Sequence, residues 1–171
     1  MQTIEAPAKE ELQATIVVPP SNGVLCFDGY FFRFRVRNCG RTRANNCECV
    51  IEALEKERDG RWVKDETFQP LNLKWSNLKS SDEFLHINPK VPGWFCDLIH
   101  VDNRSKELIF DYIFAPHSQC LVLDVGVDHS IKVSVYAENA KPITAYFQIK
   151  WSGIWKDKPE EMFKEIRVDM K

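Results

Sequence analysis

Histidines, cysteines, carboxylates and exposed aromatic or cationic stripes are the residues of this chain with chemistry to offer a ligand, and each has a competing structural use. The run Asp97-Leu-Ile-His100-Val-Asp102 sets an imidazole between two carboxylates, the setting in which histidine is tuned as a base. His86, His117 and His129 are scattered, so a shared site needs the fold to gather them. No G-x-S-x-G elbow holds a nucleophile and no glycine-rich loop is built to cradle phosphate, which argues against a hydrolase or a nucleotide enzyme. Catalytic and cofactor-binding residues are therefore expected to be none.

Cys47 and Cys49, two apart in a strand, project from one face as two potential metal ligands. Neither a second close cysteine pair nor a closely spaced histidine pair completes a zinc set, so they read as small inward residues and no metal is expected. Asp102, Asp111, Asp124 and Asp128 offer calcium oxygens, but their spacing matches no D-x-D-x-D-G loop. Trp75 and Trp151 alternate in phase with inward residues. Trp62, Trp94 and Trp155 sit beside turns and form the candidate carbohydrate-binding set, against the alternative that large rings close the ends of a sandwich. Arg33, Arg35 and Arg37 share a side with Phe31, a combination that contacts phosphates and stacks bases. The glutamates downstream compete for those arginines, and no nucleic-acid partner is expected.

These residues must be positioned by strands. In Phe31–Leu54, Phe32, Phe34 and Val36 alternate with the arginines, Gly40 ends the run, and Cys47, Cys49, Ile51 and Ala53 resume a period of two. Arginine on the outgoing arm and Glu48, Glu52, Glu55 and Glu57 on the return predict one antiparallel hairpin held by opposite charges. The inward set is then Phe32, Phe34 and Val36, with Arg33, Arg35 and Arg37 exposed. Asp59-Gly60 predicts a second tight hairpin, and ENAKP joins SIKVSVYA to ITAYFQIKW in a third. ATIVV, stopped by Pro19-Pro20, is the first predicted strand; SNG at 21–23 is a turn; Pro159-Glu160-Glu161 suits the start of a short helix. About ten short runs with turn signals every 8 to 12 residues predict an all-β antiparallel sandwich over residues 14–171, after a flexible leader over 1–13.

With 23 basic and 25 acidic residues the net charge is −2, so no global field steers the chain to nucleic acid or an anionic membrane. No apolar run reaches the ~20 residues that span a bilayer, and the opening residues lack a signal-peptide pattern. Six cysteines without a repeated spacing read as reduced thiols, with none bridging Cys47 to Cys49, and point to a cytoplasmic location.

The strings RVRNCGRTRANNC, E-x-x-x-x-G-R-W, PLNLKWSN, HINP, VSVYAENAKP and FQIKWSGIW together resemble a family of uncharacterised prokaryotic proteins with an immunoglobulin-like sandwich, over most of residues 30–156. The opening segment is also similar to adhesion-related sandwich modules of bacteria and archaea. The resemblance implies an immunoglobulin-like fold and no catalytic residues, and relatives that often carry a membrane anchor ahead of the domain. The expectation is thus a non-enzymatic protein-interaction or structural module, meeting another protein or a second copy through a terminal edge strand, ATIVV or EIRVDM. A carbohydrate-binding module is the alternative. A hydrolase or metal enzyme would require His100 or His129 to converge with carboxylates.

Overall fold

The computed structural model describes residues 2–5, 13–18, 25–76, 78, 84–113 and 121–171, with side chains from residue 29 onward. The turn at 21–23, His117 and Cys120 lie outside the described residues. In chain order the strands are β1 (Gln2–Glu5), β2 (Gln13–Val18), β3 (Leu25–Asn38), β4 (Ala44–Arg58), β5 (Arg61–Lys64), β6 (Leu71–Asn72), β7 (Leu85–Ile87), β8 (Trp94–Asp102), β9 (Leu108–Phe110), β10 (Val122–Leu123), β11 (Asp128–Ala137), β12 (Ala140–Trp151) and β13 (Ile166–Met170). The helix α1 (Pro159–Glu165) precedes β13, starting with Pro159 and two acidic residues in its first turn.

Two antiparallel sheets face each other, as the alternation predicts. The first runs β1-β3-β8-β9-β10 with β2 also on β3, and the second runs β13-β12-β11-β4-β5 with β6 and β7 also on β4. Gln2–Glu5, read from sequence as part of the leader, pair with Arg35–Asn38 as β1.

The principal correction concerns the predicted Phe31–Leu54 hairpin. β3 and β4 do not pair: β3 lies between β1/β2 and β8, whereas β4 lies between β11 and β5 to β7. Asn38 gives the physical reason. Its side chain is buried, its Nδ2 donates to the carbonyls of Thr42 (2.8 Å) and Ile87 (2.9 Å), and its Oδ1 accepts from the Gly40 amide (2.9 Å). A loop knotted around one asparagine turns the chain across the sandwich into the other sheet, where a two-residue hairpin turn would return it along the same one.

Local signals survive this change. Phe32, Phe34 and Val36 are buried, but the arginines between them are half-buried and not exposed, because β8 supplies partners for them. Cys47, Cys49 and Ile51 face inward; after Ile51 a bulge opposite Lys132/Val133 resets the phase, so Leu54 is buried where Ala53 was expected. The Asp59-Gly60 hairpin forms, with φ of 51° and 77° matching the two positive values of a type I′ turn. β11 and β12 form the third hairpin in full. Gly93, at φ 102°, admits β8 beside β3: a Cβ there would meet the Val36 carbonyl oxygen at 2.7 Å.

The core lies between the sheets, with Phe34 of β3 against Phe147 of β12 at 5.4 Å between ring centroids. Trp75 and Trp151 belong to it, as their phase predicts. Residues 71–76 close one side by changing sheets: Leu73 donates to the Cys49 carbonyl (2.8 Å), then Ser76 donates to Phe95 (2.9 Å) and Asp97 to Lys74 (2.9 Å). Strands that switch sheets make the corners of such sandwiches.

Candidate functional site

The outer face of the first sheet carries the densest set of chemically capable side chains among the described residues. β3 and β8 are joined in antiparallel register, which sets Phe31 opposite His100, Arg33 opposite Asp97 and Arg35 opposite Phe95. Each pair interacts: the Phe31 and His100 rings stack at 5.3 Å and 21°, Arg33 Nε donates to Asp97 Oδ1 at 2.7 Å, and the Arg35 guanidinium lies 4.6 Å from the Phe95 centroid. The glutamates expected to hold the arginines sit in the other sheet, where Glu52 binds Lys132 and Tyr136 and Glu48 accepts from Asn72 (3.1 Å).

Two further side chains complete the cluster. Ser76, on the crossing segment, donates its hydroxyl to Asp97 Oδ1 at 2.5 Å, and Asp111, just after β9, lies 3.0 Å from His100 Nδ1 through Oδ2. Burial pushes the Asp97 carboxyl above its ordinary value, with the Asp111 carboxylate adding to the rise, while the Ser76 hydroxyl and Arg33 hold it back. Of the carboxylates flanking His100 in sequence, neither is its partner: Asp97 serves Arg33, and Asp102 caps the turn at Arg104 and Ser105. The sequence offers Asp111 only as a calcium oxygen, and nothing in the local pattern marks Ser76, since both reach the cluster through strand pairing.

A histidine oriented by a carboxylate can accept a proton at its other nitrogen. Here the Ser76 hydroxyl is committed to Asp97, so among the described residues it is not activated by the imidazole. The cluster is a half-buried set of paired charges and stacked rings.

The other sequence candidates are dispersed. Trp62 lies exposed on β5 with the Lys171 ammonium 5.9 Å from its ring; Trp94 begins β8 opposite Val36; Trp155 packs on Tyr30 at 5.1 Å. Five β3 residues lie between Tyr30 and Val36, about 20 Å of strand from one to the other, which sets the Trp94 and Trp155 positions apart along β3. His86 accepts from the Asn46 amide (3.2 Å) at the arch between the sheets.

His129 is buried with Nε2 lacking a hydrogen-bond partner, and its nearest carboxylate oxygen, Asp124 Oδ2, is 3.9 Å away. Burial lowers its pKa, with Asp124 opposing. Asp124 instead pairs with Lys56 at 2.8 Å, and Asp128 binds Lys150 (2.7 Å) and Arg167 (2.8 Å). Among the described residues no three His, Cys, Asp or Glu side chains are grouped to hold a metal ion. Cys39, Cys47, Cys49 and Cys96 form no disulfide among the described residues.

No protein-family model matches the chain, and no curated protein matches it. The class is accordingly the one its fold defines, an all-β two-sheet sandwich. Among the described residues no helix is long and apolar enough to cross a membrane.

Proposed function

We propose that this is a non-enzymatic, immunoglobulin-like interaction module that adds a strand at the free edge of β13, with a second copy of the chain as occupant. Strand order supports the immunoglobulin-like reading. β3 with β1/β2 and β8 on either side matches the A-B-E half of such a domain, and β5-β4-β11-β12 matches C′-C-F-G. The β3-to-β4 arch then corresponds to the B–C connection, which crosses between sheets.

The observation that carries the interaction is the hydrogen-bond phase of β13. Ser152 donates to the Glu165 carbonyl at 3.0 Å and Lys171 to the Tyr146 carbonyl at 2.9 Å, both in register with the β12–β13 pairing. Antiparallel bonding alternates, so Arg167 and Asp169 turn their amides to β12 while Val168 and Met170 turn theirs outward; the Ile166 amide donates to the Met162 carbonyl at the end of α1. Among the described residues β13 ends its sheet, without proline or bulge. Pairing with a second copy about Val168 sets Arg167 opposite Asp169 of the partner twice over, the opposite-charge match that favours cross-strand pairs.

Val168→Pro tests this, because it removes an outward amide and leaves the bonds to β12 in place. The wild type is expected to show concentration-dependent dimerisation in sedimentation, with the Val168 and Met170 amides protected from hydrogen exchange only in the dimer. The variant should remain a folded monomer. A wild type that stays monomeric to millimolar concentration, or a dimer unaffected by the substitution, defeats the proposal.

A further inference from the structure

Among the described residues His129 Nε2 is the buried side-chain polar atom left without a hydrogen-bond partner, in a residue 1% exposed. Native folds seldom leave such an atom orphaned, and one that persists calls for a cause. The charged groups around it supply one. β4 brings Lys56, paired with His129 in register, and Arg58 beyond it; the segment after β5 brings Asp65, and the turn 124–127 brings Asp124. Ile149 of β12, opposite His129, is uncharged, and Asp128, on the other face of the strand, is held by Lys150 and Arg167. The Lys56 ammonium lies 2.8 Å from Asp124 Oδ2 and 3.7 Å from Asp65 Oδ2, while Asp124 Oδ2 stands 3.9 Å from the imidazole, beyond hydrogen-bond reach. Lys56 and Asp65 also line a cleft of about 230 Å³ with Arg58, Val63, Lys64 and Glu66, so the ammonium has open space beside it.

We propose that the turn between β10 and β11 is a proton-driven switch: a proton on His129 Nε2 draws Asp124 off Lys56 and onto the imidazolium, and Lys56 falls back on Asp65 and the cleft. A neutral imidazole carries one N–H and an imidazolium two, so protonation gives Nε2 a hydrogen to donate. Closing the gap from 3.9 Å to a charge-assisted bond takes a movement of about 1 Å. Asp124 can make it, because its side chain is 55% exposed and Gly126, at φ 76°, shapes the turn behind it. The Gly126 amide donates to the Trp151 carbonyl at 2.6 Å and anchors the far side of that turn. Lys56 holds the Asp124 carboxyl below its ordinary value, so it stays ionised in mild acid. Burial lowers the His129 pKa while Asp124 opposes and Lys56 adds to the lowering, so the exchange belongs below the ordinary histidine range.

An NMR titration of the full chain from neutral to about pH 4.5 tests the switch. The His129 ring nitrogens should report protonation with one midpoint, and the Asp124, Val125 and Gly126 amides should move with that same midpoint. Over the same range the nuclear Overhauser contact between the Lys56 and Asp124 side chains should weaken and one between His129 and Asp124 should grow, with the core resonances unmoved. Asp124→Asn should lower the His129 midpoint by about one pH unit or more, because the imidazolium loses its carboxylate. Lys56→Met should raise it, because the competing cation is gone. Should either variant fail to fold, the exchange of contacts in the wild type still decides. A ring that protonates while the Lys56–Asp124 contact persists, a midpoint unchanged in Asp124→Asn, or global unfolding ahead of the imidazole titration would each overturn the inference.

Discussion

β3 and β4 look alike as sequence, two long alternating runs with charge on one side, yet they meet their surroundings differently. β3 keeps an unbroken period of two, and its outer side chains find partners one strand away on β8. β4 breaks phase at a bulge, and its outer glutamates reach Lys132, Tyr136 and Asn72 instead. Alternation thus states that a strand has a wet face and a dry one. It is silent about which strand lies alongside, and complementary charge on two neighbouring runs is weak guidance, because exposed pairs contribute only about 0.2–1 kcal/mol.

The largest effect that sharpens this contrast is in the core, where both runs contribute buried residues. Phe34→Ala should lower unfolding free energy by about 3–5 kcal/mol in denaturant titration, since the cavity opens against Phe147 at the centre of the sandwich. A loss under 1 kcal/mol would mean the inward phase of β3 is wrong. Next in size is the arch. Asn38→Ala strands the Thr42 and Ile87 carbonyls and should cost about 1–3 kcal/mol, where a solvent-exposed hairpin turn would lose far less.

A double-mutant cycle separates the rival partners directly. Arg33→Met with Asp97→Asn should show coupling of about 1–2 kcal/mol, since the pair is charge-assisted and half-buried. Arg35→Met with Glu52→Gln should couple by less than about 0.3 kcal/mol, the strands lying in different sheets. Equal couplings would restore the hairpin.

The smallest effect is a difference in titration between the two sheets. His129, paired through its strand to Lys56 of β4, has a lowered folded pKa, so its contribution is present above the ordinary histidine value and lost as pH falls below it. Asp65, Asp124 and Glu52 are also lowered and add the same sense of loss at more acid pH. Asp97, beside β3, is raised, so its contribution is present below the ordinary aspartate value and lost as pH rises through its folded value. Between pH 7 and 5 the His129 contribution should therefore lower stability by no more than about 1.4 kcal/mol per pH unit, and His129→Leu should remove it. A slope unchanged by His129→Leu would place the titration elsewhere.

Much of the secondary structure was legible because it is written in short-range chemistry. Asp59-Gly60 supplies two positive φ values on adjacent residues, Pro159-Glu160-Glu161 suits a helix start, and Ile131 and Val133, opposite Phe147 and Ala145, bury one face of a hairpin. Successive side chains flip across a strand, so the sequence alone determined which residues face inward wherever no bulge intervenes. Only the tertiary structure decided that Asn38 carries the chain to the opposite sheet, that Asp111 and not Asp102 meets His100, and that Trp94 and Trp155 meet β3 at separate points. Those outcomes depend on which distant backbone edge satisfies each strand while the whole apolar set is buried at once, a condition on the entire chain that no local spacing encodes.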